Sequence, residues 1–200
     1  MSFFDYFQII TLVVFYLVFT GRMLQLLVAG VNPFVIGSGK KGAGKILEAC
    51  FMAGLLAWSL EVVVHAFDMD FHIFPDAVYG MFFDIPAVKS LGALVITAGF
   101  VVFVSSLIAF GRSWRIGIDT RNPGTLVTTG IFAVTRNPIF FFMDLYFIGT
   151  WLIYPNSFFG IAAALTIPGI HWQVLQEERF LSRQYGEEYR QYMKSVRRYI

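Results

Sequence analysis

Apolar residues in this chain gather into long blocks: Phe3 to Ala29, Ile46 to Phe67, Pro86 to Phe110, Pro138 to Tyr154 and Phe158 to Leu175. A hydrocarbon core about 30 Å thick is crossed by a helix of about 20 mostly apolar residues, a length these blocks reach or nearly reach. The pattern predicts an all-α fold, an integral membrane helical bundle of about five transmembrane helices. Only Pro155, Asn156 and Ser157 part the last two blocks, which predicts a tight helical hairpin. Farther on, Phe180, Leu181, Tyr185, Tyr189, Tyr192, Met193 and Val196 recur every three or four residues, the mark of an amphipathic helix, with a bend expected near Gly186. Residue types alone favour an interfacial helix whose aromatic face rests on lipid. The other reading makes it a lid over the polar loop before the fourth helix.

Composition agrees with a membrane protein. Hydrophobic residues make up 57% and charged residues 14%, where soluble domains carry about 25% charge, and the mean hydropathy is +0.67. Cys50 is the only cysteine, which excludes an intrachain disulfide and a thiolate metal cluster. A net charge of +2 gives no argument for nucleic acid, but the placement of charge is informative. Lys40, Lys41 and Lys45 fall in the first loop, Arg112, Arg115, Arg121 and Arg136 in the third, and a run from Arg179 to Arg198 in the tail. The second loop holds Asp68, Asp70, Asp76 and Asp84 and no Lys or Arg. By the positive-inside rule the N-terminus is expected outside and the C-terminus in the cytoplasm. The first block lacks a basic start and is too long for an h-region, so a cleaved signal peptide is not expected.

Gly39, Gly44 and Lys45 have the spacing of a phosphate-binding loop, but Ile46 stands where a magnesium-binding hydroxyl belongs, and Asn32 and Pro33 break the strand that should precede it. The lysines there suit anionic headgroups instead. Chemistry is expected in two other segments, Gly111 to Phe142 and Glu177 to Ile200, which are too polar and too patterned for plain connectors. Pro123 and Gly124 mark a turn. Pro138 opens the fourth helix, where its missing amide costs nothing. Asn137 is the expected N-cap, and Arg136 stands just outside a helix start that favours an anionic group. Asp144, inside the fourth helix, lines a tunnel or makes a structural hydrogen bond. Glu61 and His65, at helical spacing towards the outer half, read as a paired structural site, with no metal centre expected. Trp58, Trp151 and Trp172 read as interfacial anchors or packing groups.

The two polar segments carry LVTTGIF, TRNPIF, QEERFL and QYGEEYRQY, in that order around the fourth and fifth helices. In these runs the chain resembles the isoprenylcysteine carboxyl methyltransferase family and related membrane methyltransferases, over roughly residues 110–200. That family shows Leu-Val-x-x-Gly-x-Tyr, then Arg-His-Pro-x-Tyr, paired acids, and Phe-Gly-x-x-Tyr-x-x-Tyr. The resemblance implies methyl transfer from S-adenosyl-L-methionine to a lipophilic acceptor at the cytoplasmic membrane face. It places the cofactor against Leu126, Val127, Phe132, Asn137, Pro138, Ile139, Phe140 and Glu177, with Arg136 and Glu178 as the catalytic pair. Apolar rings suit the adenine, and Glu177 suits the cofactor's ammonium and hydroxyls. Residues 1–110 would then be membrane scaffold and residues 111–200 the cofactor-binding region.

The departures bear on the acceptor. Asn137 stands for the family's His, Phe132 and Phe140 for two Tyr, and Gln173 for an Arg that engages the substrate. Without that cation a carboxylate acceptor lacks its counter-charge in a low-dielectric site, so an isoprenylcysteine-type carboxylate, another small carboxylate, a thiol and an amine all stay open. Gln173, Asp144 and His171 are the substrate-side candidates. A nitrogen or hydroxyl acceptor requires a base, and His171 shares the helix face of Val174 and Glu178, though a histidine so placed more often hydrogen-bonds within the bundle. A sterol-type membrane reductase using NADPH and a non-catalytic subunit of the same fold are the competing readings.

Overall fold

The computed structural model describes residues 1–30, 43–111 and 125–200, apart from the side chains of 43–45, 47 and 48. The expectations about Gly39, Lys40, Lys41 and the Lys45 side chain and about Arg112, Arg115, Arg121, Pro123 and Gly124 lie outside the described residues. The described chain is all helical: α1 (Phe3–Val28), α2 (Ala43–Ala66), α3 (Pro86–Phe110), α4 (Pro138–Ile153), α5 (Ser157–Gln184) and α6 (Glu187–Ser195), with short 3-10 turns at Asp76–Val78 and Gly130–Ala133. α1, α2, α3 and α5 are each long and apolar enough to cross a membrane, and α4 is a shorter apolar helix. The chain is an integral membrane helical bundle.

The starts follow local chemistry. Ser2 and Asp5 form a capping box at α1, Pro86 and Pro138 open α3 and α4, and the Asn156 side chain accepts from Phe159 N to start α5 after the predicted hairpin turn. The fifth apolar block and the expected tail helix are joined: α5 runs unbroken from Ser157 to Gln184, past the apolar block and into the charged tail. The break comes at Gly186, whose φ of 57° lies in the left-handed region where a Cβ is unfavourable.

Polar side chains tie α1 to α4 in an antiparallel ladder. Tyr154 donates to Asp5 Oδ1 at 3.0 Å, Thr150 to Gln8 Oε1 at 3.5 Å and Tyr146 to Thr11 Oγ1 at 3.2 Å. The next step is aromatic, with the Phe15 and Phe142 rings 5.9 Å apart. Such hydrogen bonds matter in a bilayer because lipid offers no partner. α3 meets α4 through glycines: a Cβ on Gly149 would lie 2.5 Å from Ile96 Cγ1, and one on Gly92 would lie 2.7 Å from the Gly149 carbonyl oxygen. Trp58 is no interfacial anchor. It is 2% exposed, packed on Phe147 and Tyr146, whereas Trp172 is exposed.

At the end of the bundle holding the acidic loop, Glu61 is fully buried. Its partner is not His65. It accepts from Tyr79 Oη at 2.7 Å and Ile73 N at 2.6 Å and pairs with His72 Nδ1 at 3.1 Å. His65 packs edge-on against Tyr154 instead, with centroids 4.5 Å apart.

Candidate functional site

The opposite end gathers the start of α4, the end of α5, and α6 with its tail. Glu178 is the hub. Its Oε1 accepts from Arg136 Nη2 at 2.9 Å and Nε at 3.2 Å, and from Asn137 Nδ2 at 3.2 Å. Its Oε2 accepts from Arg198 Nη2 at 2.8 Å and Nε at 3.1 Å. A carboxylate between two guanidinium forks is the kind of buried charge that a membrane-proximal core tolerates.

Arg136 is committed to this network. Its Nη1 donates to the carbonyls of Met193 and Val196, both at 2.8 Å, which caps the C-terminal end of α6 where orphan carbonyls need donors. Asn137 stands at the N-cap position of α4 but makes no side-chain capping bond. Its amide reaches away from the helix to Glu178 and to the Arg198 carbonyl, at 3.3 Å. Asn137 thus takes the expected N-cap position without a side-chain cap, its amide nitrogen spent on the buried Glu178 carboxylate and a tail carbonyl.

After α6 the chain becomes extended at Val196 and runs beside residues 135–137. Arg136 N donates to Arg197 O at 3.0 Å and Thr135 Oγ1 to Arg198 O at 3.1 Å. Arg198 and Tyr199 lie outside the four motif runs and read in the sequence only as part of a basic tail, and Thr135 opens TRNPIF without an expected role. The periodic aromatics hint at docking, but a strand-like pairing of two short polar stretches has no sequence signature.

The LVTTGIF run packs under α6. Phe132, Tyr189 and Tyr192 form a buried cluster flanked by Leu126, Val127, Phe110 and Leu181. Tyr192 donates to the Phe132 carbonyl at 2.6 Å, and burial pushes its hydroxyl up to about 12. The aromatic face of α6 therefore rests on protein, as the lid reading has it, and not on lipid. Phe132 is 4% exposed, so its ring is packed under α6 and is not an open slot. Leu126, Val127, Ile139 and Phe140 are half-buried. Leu126 and Val127 flank the α6 cluster, while Ile139 and Phe140, beside the buried Pro138, pack against the main core.

Along α5 successive residues are about 100° apart, so Glu177 and Glu178 face different ways. Gln173 and Glu177, half-buried and one turn apart, share a stripe on the Glu177 side. His171 shares the Glu178 stripe and meets the tail: its Nδ1 is 3.1 Å from Tyr199 Oη. On α4, Asp144 lies on the stripe of Asn137 and Phe141, about 10 Å along the helix from Asn137. Its Oδ1 is buried without a hydrogen-bond partner among the described residues. Burial, then the Asp144 carboxylate, raise the Tyr199 hydroxyl above its ordinary value. The structure thus brings together Arg136, Asn137 and Glu178, and separately Asp144 and His171 around Tyr199, and sets Gln173 and Glu177 on another face.

The family described as phospholipid methyltransferase matches residues 88–188, from the start of α3 into α6. The chain belongs to this family. Over 112 residues it is 28% identical to Protein-S-isoprenylcysteine O-methyltransferase A of Arabidopsis thaliana, a match covering 54% of this chain and 57% of that protein. The chain therefore spans little more than half the length of that relative. No solved structure matches significantly. The phospholipid methyltransferase match takes in the α4 start, all of α5 and Glu178, while Arg198 and Tyr199 lie beyond it. As a donor set, half-buried apolar side chains with an acid on α5 suit a ligand that has an aromatic base together with cationic and hydroxyl groups.

Proposed function

We propose that this protein transfers a methyl group from S-adenosyl-L-methionine to the amine head of a lipophilic acceptor, with the acceptor drawn from the bilayer. The observation that carries the site is the convergence on Glu178 of Arg136 and Asn137 from TRNP and Arg198 from the tail. Membership of the phospholipid methyltransferase family supports the reaction class. When bound, the cofactor supplies a sulfonium-activated methyl group. Leu126, Val127, Ile139 and Phe140 would hold its apolar portion and Glu177 its ammonium or ribose hydroxyls. Arg136, Asn137 and Glu178 are positioning residues in this reading, since their polar atoms already hold one another. They fix the start of α4 against α5 and α6 and so set the reacting geometry. Residues 1–110 serve as scaffold and 111–200 as the cofactor-binding region, with the N-terminus outside and the C-terminus cytoplasmic.

The choice of an amine rests on charge. Among the described residues, Arg136 and Arg198 spend their guanidinium groups on Glu178 or on the α6 carbonyls. Gln173 supplies no cation. Asp144 instead offers a buried carboxylate oxygen with no partner, which a cationic head would offset and a carboxylate head would oppose. The second reading, an isoprenylcysteine-type carboxylate, is favoured by the identity to the Arabidopsis protein. Calorimetry in detergent tests the cofactor: S-adenosylhomocysteine binds at micromolar concentration, NADPH does not, and Glu177→Ala weakens the binding. NADPH binding would support a reductase, and binding of neither a non-catalytic subunit. Labelled cofactor offered with phosphatidylethanolamine, a long-chain thiol or farnesylcysteine then separates the acceptors, and label on farnesylcysteine alone refutes the amine.

A further inference from the structure

Tyr199 is held with more care than a tail residue needs. The Arg197 and Arg198 carbonyls accept from Arg136 N, Thr135 Oγ1 and Asn137 Nδ2, and the Arg198 guanidinium grips Glu178. In an extended segment neighbouring side chains point opposite ways, so anchoring Arg198 fixes the direction of Tyr199. Its ring lies 6.4 Å from that of Phe141, and its hydroxyl is 3.1 Å from His171 Nδ1. The groups that face it are Asp144 from α4, His171 and Glu178 from α5 and Arg198 beside it in the tail. Asp144 Oδ1 is buried without a hydrogen-bond partner among the described residues, a carboxylate oxygen open to a ligand beside the Tyr199–His171 pair.

We infer that Tyr199 and His171 form the proton-accepting end of the acceptor site, with Asp144 facing the acceptor's nitrogen. The inference rests on the methyl-transfer reading and adds to it a residue from outside the family match. An N–H proton of the acceptor passes to the Tyr199 oxygen while the Tyr199 hydroxyl proton passes to His171 Nδ1. The nitrogen lone pair forms the new bond to the methyl carbon, and the methyl–sulfur bond of the sulfonium donor breaks with its electrons left on sulfur. The positive charge moves from sulfur to the imidazolium, where Asp144 and Glu178 offset it.

Tyr199→Phe keeps the ring, the Phe141 contact and every backbone anchor, and removes only the hydroxyl. The first measurement needs no cofactor: the chain has three histidines, so ring nitrogen NMR resolves each as pH is varied. Tyr199→Phe shifts the titration and tautomer of His171 and leaves His65 and His72 in place. The second uses phosphatidylethanolamine in mixed micelles. Losing a positioned base lowers kcat on the order of 100-fold, with KM within about twofold and S-adenosylhomocysteine binding unchanged. The wild-type rate levels off with rising pH, while the variant's keeps climbing about tenfold per pH unit because hydroxide must replace the base. Asp144→Asn raises KM more than it lowers kcat. An unmoved His171 titration, or a variant with the wild-type kcat and pH profile, overturns the inference. Failure of the wild-type protein to bind S-adenosylhomocysteine overturns the methyl-transfer reading instead, and leaves the NMR result to judge the Tyr199–His171 coupling.

Discussion

Glu178→Gln isolates the charge at the centre of the site while preserving its shape. The Arg136 and Glu178 side chains are 8% and 7% exposed, so their pairing is poorly screened, whereas Arg198 is 36% exposed and its share is discounted for solvent. Removing one partner of a buried ion pair costs about 3–5 kcal/mol. Glutamine retains an oxygen that still accepts from Arg136 and Asn137, so the loss is set at roughly 2–3 kcal/mol, about 1–1.5 kcal/mol for each of the Arg136 Nε and Nη2 bonds that then meets a neutral oxygen in place of a charged one. For a chain of this size each kcal/mol moves the midpoint by about 2–4 °C, which gives a fall of about 4–12 °C. The chain's four tryptophans report the unfolding in detergent, with variants compared at one scan rate because such melts are commonly irreversible. The double variant Arg136→Met with Glu178→Met recovers part of the loss by leaving no unpaired charge between them. A midpoint within about 1 °C of wild type, together with lost S-adenosylhomocysteine binding, would show that Glu178 is a ligand and not a clamp.

Other positions give independent checks. Gly149→Ala places a Cβ 2.5 Å from Ile96 Cγ1 and 2.8 Å from the Gly92 carbonyl; the backbone cannot yield cheaply, so about 1–3 kcal/mol of stability is lost. Gly54→Ala, with nothing within 4 Å, leaves the same melt unchanged. Tyr154→Phe removes the rung to Asp5 and costs about 0.6 kcal/mol, the average for such bonds between membrane helices; a drop of several kcal/mol would refute the ladder as a sum of modest rungs. Asn137→Asp sets a second carboxylate where the amide now meets Glu178 Oε1 at 3.2 Å. Like charge raises the pKa of the new acid in the folded state, so the variant is least stable at neutral pH and regains stability as pH falls and that acid protonates.

The apolar blocks announced the spans because a bilayer demands a long uninterrupted run, and Pro86 and Pro138 set their helix starts to the residue. The α1–α4 ladder was not legible. Asp5, Gln8 and Thr11 lie on one face of α1, but their partners Tyr154, Thr150 and Tyr146 lie more than 130 residues away, and no local period links the two sets. Gly92 and Gly149 look like any membrane glycines until the two helices are seen to touch there. At the site, the motif letters found Arg136, Asn137 and Glu178 but implied that they reach a ligand, whereas they satisfy one another and the α6 carbonyls. Letters record which residue type is required, and an arginine that caps a helix is the same letter as one that binds a carboxylate. What separates the two uses is whether donors remain after the protein's own acceptors are counted. By that count Arg136 and Arg198 are spent and Asp144 is not, and this imbalance favours a cationic head at the acceptor position.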